Sequence, residues 1–191
     1  MQLYRNAQAR DLTVEVLRSR RKTLSLELRE DGRVLVRAPL RCPEAEIRAF
    51  VEKHRLWLAR RLAEQARRPA LPTLGEEELA ALKRKGKQVF SERAAHFAPL
   101  VGAGYTGLSV RSQRSKWGSC SSRGSLSFNC LLLLAPSEVL DYVVVHELCH
   151  RLEMNHSPRF WAEVARVLPG YEASKRWLRE NGGALLARLP E

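Results

Sequence analysis

Two histidines and a glutamate stand inside an apolar stretch, VVVHELCH at residues 143–150. His146 and His150 are four apart, so on a helix they share one face a turn apart, and two imidazole nitrogens can converge on one cation. Glu147 projects about 100° from His146. There it can reach a water held by the metal without occupying the metal itself. This is the H-E-x-x-H spacing of zinc-dependent hydrolysis. A third histidine, His156, follows within eleven residues of His146, and NHSP between Asn155 and Pro158 breaks the helix and starts another with Ser157 as N-cap and Pro158 behind it. The break turns the chain back, which lets His156 act as third ligand. Glu163 and Glu172 are the downstream rivals. Glu153 stands where the metzincin pattern has glycine, so the turn must be made elsewhere, and Asn155 suits it best. Asn155 is also a candidate to orient a ligand.

Three neutral imidazoles would leave Zn²⁺ its double charge and an open position. Such a site lowers the pKa of water from 15.7 to about 7. Glu147 would take the proton of that water and return it to a leaving amine. Arg159, Tyr142 and the Lys116-Trp117 segment are candidate donors to the developing oxyanion. Lys116, Trp117 and Gly118 precede the histidine helix by one strand and are candidates to bind an extended peptide, with Gly118 admitting a ligand backbone.

The elements that must position these residues follow from periodicity. TVEVL, TLSLEL and RVLVRA between Leu12 and Ala38 alternate apolar and polar residues and predict a small antiparallel sheet, with Asp31-Gly32 as a hairpin turn. A helix is expected from Pro43 to about Gln65, a linker at 66–75, and a long helix from about Glu76 to Phe97. GLSVRS and SLSFNCLLLL read as two strands around the turn SKWGSCSSRG. The active-site helix should start at Pro136-Ser137 and end near Met154-Asn155. Two shorter helices follow, to about Leu168 and from about Tyr171 to Asn181. Phe160, Trp161 and Trp177 read as core. The expected organisation is a basic β-hairpin and helix region at 1–75 and a metallohydrolase domain at 76–191, packed as one unit.

The segments RRKTLSLEL, DGRVLVRAP, SKWGSCSSRGSLSFN, DYVVVHELCH and MNHSPRFW, in this order, resemble the YgjP-like metallopeptidase family, distant relatives of the SprT and WLM zincins. The resemblance runs from about Arg20 to Leu178. It implies one zinc per chain held by His146, His150 and His156, with Glu147 as catalytic residue. It also implies an α+β, zincin-like fold with a small antiparallel sheet beside the active-site helix.

Composition constrains the rest. The 191 residues carry a formal charge of +12, and residues 1–68 hold 17 basic side chains against 9 acidic. That excess makes the N-terminal third a candidate dock for nucleic acid or another polyanion. The N-terminus MQLYRNAQARD has no apolar signal region, and no apolar run approaches the ~20 residues of a membrane helix. A cytoplasmic protein is expected, with peptide or protein as substrate and no membrane. The cysteines Cys42, Cys120, Cys130 and Cys149 form no CxxC pair; the default reading is small buried thiols, with Cys120 set apart in a polar, turn-like stretch. Competing readings are a metal-dependent nucleotide pyrophosphatase, a non-enzymatic nucleic-acid-binding zinc module, and a cysteine hydrolase using Cys120. The first lacks a Walker-type loop. The second needs a fourth protein ligand. The third needs a histidine free of metal.

Overall fold

The computed structural model describes residues 2–5, 11–29, 33–67 and 71–190. The chain divides into two compact units, residues 1–70 and 71–191. Among the described residues no helix is long and apolar enough to cross a membrane.

In the first unit the strands are β1 (Gln2–Arg5), β2 (Asp11–Ser19), β3 (Ser25–Leu28) and β4 (Val34–Pro39), in spatial order β1-β2-β4-β3. The alternation of TVEVL, TLSLEL and RVLVRA does produce strands, but the sheet is mixed. β3 pairs antiparallel with β4, whereas β2 pairs parallel with it. The Asp31-Gly32 turn expected between β3 and β4 lies outside the described residues. One helix was expected to follow; there are two, α1 (Glu44–Lys53) and α2 (Arg55–Arg67). At the break the His54 ring nitrogen Nδ1 lies 2.7 Å from the Phe50 carbonyl, a local bond that competes with the helical ladder. Ile47, Val51 and Leu58 from the helices bury against Val14, Val34, Val36 and Ala38 of the sheet.

The second unit begins with Leu74 buried, its N–H donating to the Arg188 carbonyl at 2.8 Å. Helix α3 (Glu76–Val101) opens with three glutamates, and Glu78 accepts from the Gly75 N–H at 2.8 Å. That arrangement satisfies a free helix donor and complements the positive helix end. A three-stranded sheet follows, β5 (Gly107–Arg111), β6 (Gly118–Cys120) and β7 (Ser125–Asn129), ordered β5-β7-β6. It too is mixed rather than antiparallel, since β5 runs parallel to β7 and only β6 opposes it. The tight β6–β7 turn closes at Gly124, whose φ of +85° favours glycine.

The run CLLLL does not prolong β7. Asn129, 2% exposed, accepts from the Leu131 N–H through Oδ1 and donates through Nδ2 to the Gln113 and Lys116 carbonyls. This cap converts residues 130–134 into a 3₁₀ turn. Helix α4 (Ser137–Cys149) then crosses the unit with Val139, Leu140, Tyr142–Val145, Leu148 and Cys149 buried. It is tied to α3 by a two-pronged pair, Arg93 to Asp141 at 2.6 and 2.7 Å. Helices α5 (Pro158–Val167) and α6 (Tyr171–Leu186) complete the α+β unit.

Candidate metal centre

Helix α4 ends at Cys149, earlier than the Met154-Asn155 expected, and His150 is its C-cap. The chain then folds back: the Arg151 N–H donates to Leu148, and those of Leu152 and Glu153 donate to Cys149. Ser157 caps α5, accepting from the Phe160 N–H at 3.3 Å. The early stop and the second cap together return His156 to the helix it left.

The result is a cluster in which one ring nitrogen from each of His146, His150 and His156 lies within 4.8 Å of the others. The Nε2 atoms of His146 and His156 are 3.0 Å apart. Two imidazole nitrogens at that distance cannot both present lone pairs to each other unless a proton or a cation lies between them. His146 Nδ1 is buried without a hydrogen-bond partner among the described residues. His150 Nδ1 faces the Glu153 carbonyl at 3.2 Å. As donor there, it leaves Nε2 with the lone pair. Burial first, then the charges of His150, His156 and Lys175, push His146 down to about 3. Burial also lowers His150. Two of the rings are therefore held neutral near pH 7, the form that ligates a metal. This donor set fits a divalent metal that accepts nitrogen.

Glu147 is 5% exposed. Burial raises it to about 7, while the Lys116 ammonium and the Cys120 backbone N–H pull the other way. Its room is provided by Gly118: a Cβ on that residue would stand 2.7 Å from Glu147 Cγ and Oε1. The space above Gly118 is thus filled by the carboxylate, not left for a ligand backbone as the sequence suggested. Trp117 is half-buried and packs on Gly182 of α6, where a Cβ would meet its ring at 2.9 Å. Lys116 is exposed.

Of the other expected residues, Asn155 and Arg159 are exposed, and among the described residues neither makes a side-chain hydrogen bond. Tyr142 is buried with its ring edge-on to His146 at 5.8 Å, and burial pushes its hydroxyl to about 12. Glu163 pairs with Arg166 at 2.8 Å, and Glu172 bonds Tyr171. Neither joins the histidine cluster. Burial raises the Cys120 thiol, which suits a nucleophile poorly.

Sequence reasoning assigned Phe160 and Trp161 to the core. Phe160 is fully buried, yet its ring lies 4.8, 4.6 and 4.8 Å from those of His146, His150 and His156. It forms the floor of the cluster. Trp161 stacks near His156 at 5.6 Å and on Tyr171 at 5.4 Å. Their position directly after NHSPR was the only signal available. The Glu153 carbonyl had none.

A family model described as YgjP-like, metallopeptidase domain, matches residues 22–80 and 75–181. The chain belongs to the YgjP-like metallopeptidase family. That membership makes it a metal-dependent peptidase by family and implies a catalytic metal and a protein or peptide substrate. The metallopeptidase zymogen abylysin of Pyrococcus abyssi is a similar solved structure, with 22% identity and a TM-score of 0.43 over 48% of this chain and 93% of that one. No curated protein matches significantly.

Proposed function

We propose that residues 71–191 form a zinc-dependent peptidase in which His146, His150 and His156 hold one zinc ion and Glu147 handles the proton. The observation that carries this reading is the seating of a buried carboxylate, in the space left by Gly118, next in sequence to one of three converged imidazoles. Bound there, zinc would supply Lewis acidity to water and to a scissile carbonyl. Glu147 receives the water proton at its carboxylate and passes it to the leaving nitrogen. Its raised pKa suits both steps near neutrality, as acceptor and then donor. The Glu153 carbonyl holds the His150 ring in one tautomer. Phe160 keeps water away from the rear of the three rings. Strand β6 lies at an edge of its sheet, and an extended substrate can add to it by main-chain hydrogen bonds.

The test begins with metal content. The purified protein should hold about one zinc per chain. His156→Ala should lose it under chelator challenge, whereas Glu163→Ala should retain it. Glu147→Gln should keep the zinc and lose about 10²–10⁴-fold in peptide turnover. Nucleoside triphosphates are assayed beside the peptides as the rival substrate class. Peptide cleavage that survives Glu147→Gln would contradict the proposed role.

For the first unit the proposal is narrower, a polyanion dock. Within the basic segment Arg18 donates to the Cys42 carbonyl at 2.6 Å and pairs with Glu44 at 3.5 Å, and Arg21 donates to Ser25 at 2.9 Å. Docking therefore falls to the exposed Arg20 and Lys22.

A further inference from the structure

Among the described residues of 71–191, three arginines are held in ion pairs and others donate to backbone carbonyls. The ion pairs join Arg93 to Asp141, Arg166 to Glu163 and Arg179 to Glu180. Lys175, on the second turn of α6, makes none among the described residues. Its ammonium stands 3.7 Å over the Trp161 ring instead. That ring lies 5.6 Å from His156 and 5.8 Å from His146, and it is braced from α6 by Tyr171 at 5.4 Å. An exposed lysine ordinarily ranges over many rotamers. Here an aromatic face localises the charge.

The position carries an electrostatic cost. A fixed cation one ring away from the histidines opposes the binding of a second cation there. An anion between the two charges reverses that cost, because it is attracted from both sides. Among the described residues no carboxylate is ion-paired to Lys175, and Glu172, one turn before it on α6, bonds Tyr171, which leaves the substrate as the source. An extended peptide advances about 3.3 Å per residue. A side chain one or two residues from the scissile bond therefore spans the width of the Trp161 ring.

We infer that Lys175, presented on Trp161, is a specificity-determining residue that reads a carboxylate of the substrate one or two residues from the scissile bond. This rests on the peptidase reading above. An acidic side chain and a chain-terminal carboxylate offer the same group, and the test separates them. Lys116 is the other lysine whose field reaches the site, but it acts on Glu147, so it bears on proton transfer before it bears on selection.

The experiment compares peptides of one sequence carrying Glu or Gln at the positions flanking the scissile bond, each with a free or amidated C-terminus. The zinc-loaded wild type should prefer the carboxylate-bearing member by about tenfold in kcat/KM, the scale of one hydrogen bond to a charged group. Whether the preference follows Glu or the free terminus identifies the carboxylate. In Lys175→Met, which keeps the apolar stem, the ratio should fall to about one. Lys175→Arg should restore it, and Lys175→Glu should turn it towards a Lys-bearing peptide. Zinc content and melting temperature check that each variant is folded.

The same peptides are titrated calorimetrically onto zinc-loaded Glu147→Gln, with and without Lys175→Met, so that selection is read from Kd without cleavage. A wild type without carboxylate preference, or an equal preference in Lys175→Met, overturns the inference in either readout. Failure of the peptidase reading would look different. Turnover would be missing from the wild type, while the Kd ratios would still decide the role of Lys175.

Discussion

The two units contain the same three-stranded arrangement put to different use. In the first, β2 and β4 are parallel and β3 lies antiparallel on the far side of β4. In the second, β5 and β7 are parallel and β6 lies antiparallel on the far side of β7. The difference is in what packs nearby. Helices α1 and α2 bring Ile47, Val51 and Leu58, an ordinary apolar layer. Helix α4 brings Glu147 against the edge strand at Gly118. The lesson is that the sheet is a frame, and that the second unit differs by one buried carboxylate admitted where a side chain is missing.

The sharpest way to break that comparison is to supply the missing carbon. Gly118→Ala places a methyl group 2.7 Å from the Glu147 carboxylate, and displacement of a reacting group by about 1 Å can cost about 10²-fold. Turnover should fall by that order while zinc content, measured on the same preparation, stays near one per chain. An active Gly118→Ala enzyme would mean that the carboxylate is not held by this strand.

A smaller effect concerns stability. Glu147 is raised from 4.5 to about 7 in the folded protein, so its contribution is fully present below pH 4.5 and is lost as pH rises through 7. His146 does the reverse. Lowered from 6.5 to about 3, it contributes above pH 6.5 and loses that contribution as pH falls towards 3. In metal-free protein, Glu147→Gln removes only the first dependence. At pH 8 the variant should exceed wild type by up to about 3 kcal/mol, and near pH 4 the two should converge. Denaturant melts with chelator present measure this. A constant difference across that range would show that the carboxylate ionises freely.

The smallest expected effect lies in the first unit. Charge reversal at Arg20 and Lys22 should weaken oligonucleotide binding severalfold at low salt, with a shallower salt dependence and unchanged zinc content. A wild type that binds no oligonucleotide at low salt would end the docking proposal. The contrast with Gly118→Ala is the point: one added methyl in the second unit should matter more than two reversed charges in the first.

Much of the site could be read from spacing. A spacing of four from His146 to His150, with a helix stop before His156 and a fresh cap at Ser157 just after it, suffices to bring three rings together. Period-two alternation located β2, β3, β4, β5 and β7 but missed β1 and β6, the latter lying within the stretch SKWGSCSSRG that reads as a turn. It could not show that β2 and β4 run parallel, because a turn signal speaks only for consecutive strands. Nor could it show that CLLLL leaves the sheet, since that depends on the Asn129 side chain capping the next turn. The Glu153 carbonyl is a main-chain group with no signature in residue type. Phe160 and Trp161 resemble core residues because hydrophobicity does not distinguish a ring that packs on leucine from one that packs on a clustered histidine.

The early end of α4 at Cys149 has a consequence beyond the turn it permits. The aligned peptide dipoles of a helix leave roughly half a negative charge at its C-terminal end, felt within the last turn. With His150 as the cap, that negative pole lies at the level of the three rings, so the backbone itself favours a cation there before any side chain contributes. Had the helix run on to Asn155, the pole would have moved about 9 Å along the axis. The helix supplies two of the three converged imidazoles, and by where it stops it also supplies a field.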